Sequence, residues 1–87
     1  MRILIVEDEK KVSGFIKKGL EEETYAVDVA IDGEEGLLFG EQNQYDLIIL
    51  DLMLPKIDGL EVLSILRDRK IETPILLLTA KDSVEDK

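Results

Sequence analysis

The chain contains no cysteine and no histidine. Disulfides, thiolate nucleophiles, the common zinc sites and histidine-based acid–base catalysis are therefore excluded together. Positive charge is scarce: 11 lysines and arginines stand against 20 aspartates and glutamates, and the net charge of −9 opposes a direct grip on nucleic acid or on an anionic membrane. No apolar run approaches the ~20 residues needed to span a bilayer. The opening Met1-Arg2-Ile3-Leu4-Ile5-Val6 turns acidic at Glu7-Asp8-Glu9, too early for a signal-peptide core. The expected compartment is the cytoplasm, with no membrane partner. There is no linker rich in proline, glycine or serine, no repeat and no low-complexity tract. What remains for chemistry is carboxylates, hydroxyls and amines. With 45% hydrophobic and 36% charged residues in 87 positions, the composition is that of one small folded domain with a thin stability margin.

Four apolar runs of strand length stand out: Ile3 to Val6, Tyr25 to Ala30, Leu47 to Leu50 and Ile75 to Leu78. Between the first two, Val12, Phe15, Ile16 and Leu20 recur at helical spacing among lysines and glutamates, which predicts an amphipathic helix with those four residues as its apolar face. Asp32, three residues before Glu35, predicts the N-cap of a second helix, weakened by Gly36 and Gly40. Asp58 and Glu61 repeat the signal ahead of Leu60, Leu63 and Leu66. Ser83-Val84-Glu85-Asp86 reads as one more helix start, one residue before the last, Lys87.

The order β-α-β-α-β-α-β with continuous apolar strands predicts an α/β fold with a parallel sheet covered on both faces. The Tyr25 to Ala30 run carries Asp28 and suits a sheet edge. The uncharged Ile75 to Leu78 run reads as a strand buried on both faces with a neighbour on each side, the outer neighbour being absent from these 87 residues.

In open α/β sheets the ligand site lies beyond the carboxyl ends of the strands, where strand order reverses. Glu7 and Asp8 follow the first run, Asp51 the third and Thr79 the fourth. With strand order 2-1-3-4 these side chains converge. Three carboxylates so placed repel one another, and a hard divalent cation such as magnesium relieves the repulsion with oxygen ligands. A carboxylate attacks phosphorus only when its repulsion with the phosphoryl dianion is offset. Asp51 is then the expected nucleophile, Glu7 and Asp8 the metal holders, and Thr79 a hydroxyl donor to a phosphoryl oxygen. Each residue taken singly also has an ordinary explanation. Glu7-Asp8-Glu9 serves as well for capping and dipole stabilisation, Asp51 as a turn former before Pro55, Thr79 as a loop hydroxyl and Lys56 as a solvated cation. Joint occurrence at the ends of three strands is harder to dismiss.

The segments Ile3-Leu4-Ile5-Val6-Glu7-Asp8-Glu9, Asp46 to Pro55, Ile57-Asp58-Gly59 and Leu78-Thr79-Ala80 resemble those of response-regulator receiver domains, with matching order and spacing over all 87 residues. Val6 to Lys11 and Leu50 to Gly59 are most similar to the OmpR/PhoB group, transcription regulators with a C-terminal winged-helix DNA-binding domain. The resemblance implies a flavodoxin-like (CheY-like) fold of five strands and five helices. Residues 1–87 would form the receiver domain without its fifth strand and last helix, and DNA would be reached only through a domain outside this sequence. It further implies phosphorylation of Asp51 by a histidine kinase, direct magnesium ligation by Asp8 and Asp51, a water-mediated role for Glu7 and a further ligand in the backbone carbonyl of Met53. Thr79 matches the switch hydroxyl. The lysine and the aromatic residue that the family carries on or after its fifth strand have no counterpart, since Lys81 follows Thr79 too closely. The protein implied is a phosphoacceptor switch that assists its own phosphorylation and dephosphorylation, not an enzyme in the ordinary sense.

Three rival readings remain. A phosphatase using Asp51 wants a second aspartate two positions later, where Met53 stands. A flavin- or nucleotide-binding relative needs a phosphate loop rich in glycine or hydroxyls, whereas Val6-Glu7-Asp8-Glu9-Lys10 repels phosphate unless a metal is present. The third is a folding or assembly fragment with little signalling activity. Such a fragment is expected to form a homodimer or a domain-swapped oligomer through an uncovered fourth strand.

Overall fold

A computed structural model describes residues 1–78. The expected helix start at Ser83 to Asp86 lies outside these residues. The elements follow in strict alternation: β1 (Arg2–Val6), α1 (Lys10–Glu22), β2 (Ala26–Ala30), α2 (Gly33–Gln42), β3 (Leu47–Asp51), α3 (Gly59–Asp68) and β4 (Ile75–Leu78). All pairings are parallel and the strand order is β2-β1-β3-β4, as expected for the flavodoxin-like arrangement.

Successive strand side chains point to opposite faces, and this alternation builds two cores. Ile3 and Ile5 join Ile49 on one face, covered by Ile16 and Leu20 of α1. Leu4 and Val6 join Ile48 and Leu50 on the other, where Leu37 of α2 and Val62 and Leu66 of α3 close over them. The central strands β1 and β3 are buried almost throughout, which is why they read as unbroken apolar runs.

Both predicted caps form. Asp32 accepts from the Glu35 amide at 2.8 Å, and Asp58 accepts from the Glu61 amide at 2.9 Å. Gly36 and Gly40, which weaken α2 by propensity, are explained by close packing. A Cβ on Gly36 would lie 2.9 Å from Val6 Cγ1, and one on Gly40 would lie 3.2 Å from Leu66 Cδ2.

The apolar face of α1 is only partly covered: Ile16 and Leu20 pack on the sheet, whereas Phe15 is 81% exposed and the buried position is Ser13. Helix geometry accounts for this, since two residues' separation is about 200° of rotation, which sets Phe15 nearly opposite Ser13. Val12, Ile16 and Leu20 lie on the inward arc. One expectation needs correction: the apolar strand β4 is not buried on both faces. Among the described residues it pairs with β3 alone, and Leu76 is 53% exposed. Edge strand β2 fits its expectation: Asp28 forms an ion pair with Arg2 at 2.9 Å.

Candidate phosphoacceptor and metal site

Register brings the site together. Val6 of β1 is level with Ala30 of β2 and Leu50 of β3, so Glu7 and Asp51 leave neighbouring strands at the same height. The chain runs from β1 outward to β2 and then back across to β3, which makes the β1/β3 boundary the point where strand order reverses. There Glu7, Asp8 and Asp51 each offer a carboxylate oxygen, all within 4.8 Å of one another.

The three carboxylates differ in setting. Glu7 is only 5% exposed, while Asp51 is half-buried and Asp8 faces solvent. Glu7 Oε2 accepts from the Glu9 amide at 3.0 Å, and the Glu7 amide donates to the Ala30 carbonyl at 3.0 Å. Burial pushes the Glu7 carboxyl above its ordinary value of 4.5; the Glu9 amide opposes this, and the charges of Asp51 and Asp8 add to it. The capping explanation for the acidic run is not supported, because Glu9 stands at the N-cap of α1 without a side-chain cap bond. The turn-forming explanation for Asp51 is partly right: its Oδ1 accepts from the Met53 amide at 3.1 Å.

The loop after β3 returns sharply onto the strand end. The Gly59 amide donates to the Leu52 carbonyl at 3.0 Å, and a Cβ on Gly59 would collide with the Asp51 carbonyl and lie 2.7 Å from Leu52 Cα. Only glycine permits this approach. The Met53 side chain points to solvent and its backbone lies beside Asp51. Thr79 lies outside the described residues.

The donor set fits a hard divalent cation: three formal negative charges converge, all oxygen, and among the described residues no lysine or arginine forms an ion pair with any of them. Lys56, expected to be merely solvated, instead reaches Asp32 Oδ2 at 3.4 Å and Glu34 Oε1 at 3.5 Å. No local signal marks a contact spanning more than twenty residues of chain.

Comparison with known proteins agrees with this fold. Residues 3–87 match the response regulator receiver domain family. The chain is 52% identical over 86 residues to the transcriptional regulatory protein PcoR of Escherichia coli, covering 99% of this chain and 38% of PcoR. It is 49% identical over 86 residues to the alkaline phosphatase synthesis transcriptional regulatory protein PhoP of Bacillus subtilis strain 168, covering 99% of this chain and 36% of PhoP. It thus spans under two fifths of the length of these relatives, which are transcription regulators of the OmpR/PhoB type. Among solved structures, the response regulator TrrA of Thermotoga maritima in complex with Mg2+-BeF superimposes with a TM-score of 0.87 at 43% identity, covering 97% of this chain and 73% of that one. No helix among the described residues is long and apolar enough to cross a membrane. By family match, sheet order and overall superposition, this chain belongs to the response-regulator receiver domains.

Proposed function

We propose that the chain is a phosphoacceptor switch in which Asp51 takes a phosphoryl group from a histidine kinase, with magnesium held by Glu7, Asp8, Asp51 and the Met53 carbonyl. The observation that carries this reading is the convergence of three carboxylates at the sheet's reversal point without a paired cation among the described residues. The cation, when bound, neutralises the negative charge that otherwise keeps the carboxylate and the phosphoryl group apart. Asp51 presents one carboxylate oxygen for attack on phosphorus while the Met53 amide holds the other in place. A P–O bond to Asp51 forms as the P–N bond of the donor phosphohistidine breaks, and the departing imidazole nitrogen keeps the electron pair. Asp8 would hold the cation with Glu7 supporting it, and the Thr79 hydroxyl would respond to the phosphoryl oxygen. In the longer protein this change controls a C-terminal DNA-binding domain.

The test is incubation with Mg2+ and acetyl phosphate followed by intact-mass measurement. The wild type gains one phosphoryl group that is labile to base, and Asp51→Asn gains none. Equal labelling of both proteins would overturn the assignment of Asp51, and absence of labelling in both would favour the assembly-fragment reading.

A further inference from the structure

Lys56 occupies an unusual backbone position. Its φ of 70° lies in the left-handed region, where glycine sits with less strain than a lysine. The side chain turns back to α2, where its ammonium lies 3.4 Å from Asp32 Oδ2 and 3.5 Å from Glu34 Oε1. Asp32 thus has two duties: Oδ1 caps α2 through the Glu35 amide, and Oδ2 faces Lys56. Backbone packing reinforces the contact, since a Cβ on Gly33 would overlap the Ile57 carbonyl oxygen and lie 2.9 Å from Ile57 Cβ. The loop of residues 52–58 is therefore held at two ends, by Gly59 against the end of β3 and by Lys56 and Ile57 against the start of α2.

We infer that Lys56 is a positioning residue for the cation site: by clamping the β3–α3 loop to the N-cap of α2, it sets the placement of the Met53 backbone beside Asp51. This rests on the phosphoacceptor reading above. Charge and position act in opposite directions here, which makes the inference testable. Were Lys56 only a nearby positive charge, its removal would strengthen cation binding to three carboxylates. As a clamp, its removal weakens binding by about two- to fivefold, a small factor because the ion pair is exposed.

The experiment is calorimetric titration of the 87-residue chain with Mg2+ alone, paired with amide hydrogen exchange at Met53 and Ile57 in metal-free protein. Expected for Lys56→Gln are weaker Mg2+ binding and faster exchange at both amides, with Lys56→Arg restoring both. Asp32→Asn keeps the capping oxygen and removes the ion partner, so the double variant Lys56→Gln/Asp32→Asn binds no more weakly than Lys56→Gln alone. Unchanged or tighter Mg2+ binding by Lys56→Gln, with unchanged exchange, overturns the inference and leaves the proposed function standing. A wild type that binds no Mg2+ overturns the proposed function and this inference together.

Discussion

The Tyr45 hydroxyl donates to Asp28 Oδ2 at 2.7 Å, tying the entry to β3 to the edge strand β2 across β1. Arg2 completes the cluster: its guanidinium reaches the same oxygen at 2.9 Å and lies 5.1 Å from the centre of the Tyr45 ring. Tyr45 is almost fully buried, so its hydroxyl needs this partner.

The cluster predicts how stability depends on pH. The Tyr45 hydrogen bond, with Arg2 beside it, holds the Asp28 carboxyl below its ordinary 3.8. The stability this contributes is present above that value and is lost as pH falls through the lower folded value. Burial, helped by Asp28, pushes Tyr45 from 10.0 up to about 12, so its contribution is complete below 10.0 and is lost as pH rises through about 12. Tyr45→Phe should cost about 1 kcal/mol near neutral pH. It should also remove the alkaline loss between 10.0 and 12, as urea denaturation over a pH series would show. An alkaline limb identical in the two proteins would contradict the assignment.

Asp8→Asn tests the cation site through stability. A cation bound only by the folded cluster adds about 0.4 kcal/mol when its concentration equals Kd, and more above it. Mg2+ should raise the melting temperature of the wild type and leave the variant nearly unmoved. Without metal, the variant should melt at or above the wild type, because one of three crowded charges is gone. Equal Mg2+-induced shifts in both would remove Asp8 from the ligand set.

Two glycine substitutions in helices should act with opposite sign. Nothing lies within 4 Å of a Cβ on Gly19 of α1, so Gly19→Ala should stabilise by about 0.5–1 kcal/mol. Gly36→Ala gains the same propensity but drives a methyl to 2.9 Å from Val6, a stiff β-branched residue buried in the central strand. Overpacking of about 1–3 kcal/mol outweighs the gain, for a net loss of about 1 kcal/mol. Chemical denaturation of the two variants would decide it, and stabilisation by both would show that α2 can move away from β1.

The outer side of β4 predicts self-association of the 87-residue chain. Its residues carry no charge, Leu76 and Leu77 are exposed, and among the described residues no strand pairs on that side. Light scattering after size exclusion should give a mass above one chain, with a melting temperature that rises with concentration. Leu76→Lys should shift the population toward monomer. A monomeric wild type whose melting is unaffected by dilution would rule this out.

Sequence alone determined the features that are local along the chain. Four apolar runs became four strands because strand burial is written residue by residue, and Asp32 and Asp58 became caps because a cap reaches only three residues onward. The acidic residues at strand ends were equally legible, since parallel strands in this order end at one edge of the sheet. Tertiary structure decided what depends on the partner. An apolar spacing on α1 cannot say which arc meets the sheet, and Ser13 rather than Phe15 turned inward once β1 and β2 set the surface to be covered. Gly36 and Gly40 looked like defects until Val6 and Leu66 filled the space a side chain would need. The carboxylates that Lys56 and Tyr45 reach lie seventeen or more residues away in sequence, and only chain crossings set by sheet order bring them together. Side-chain charge and polarity announce that a partner is needed, whereas the choice of partner is made by packing.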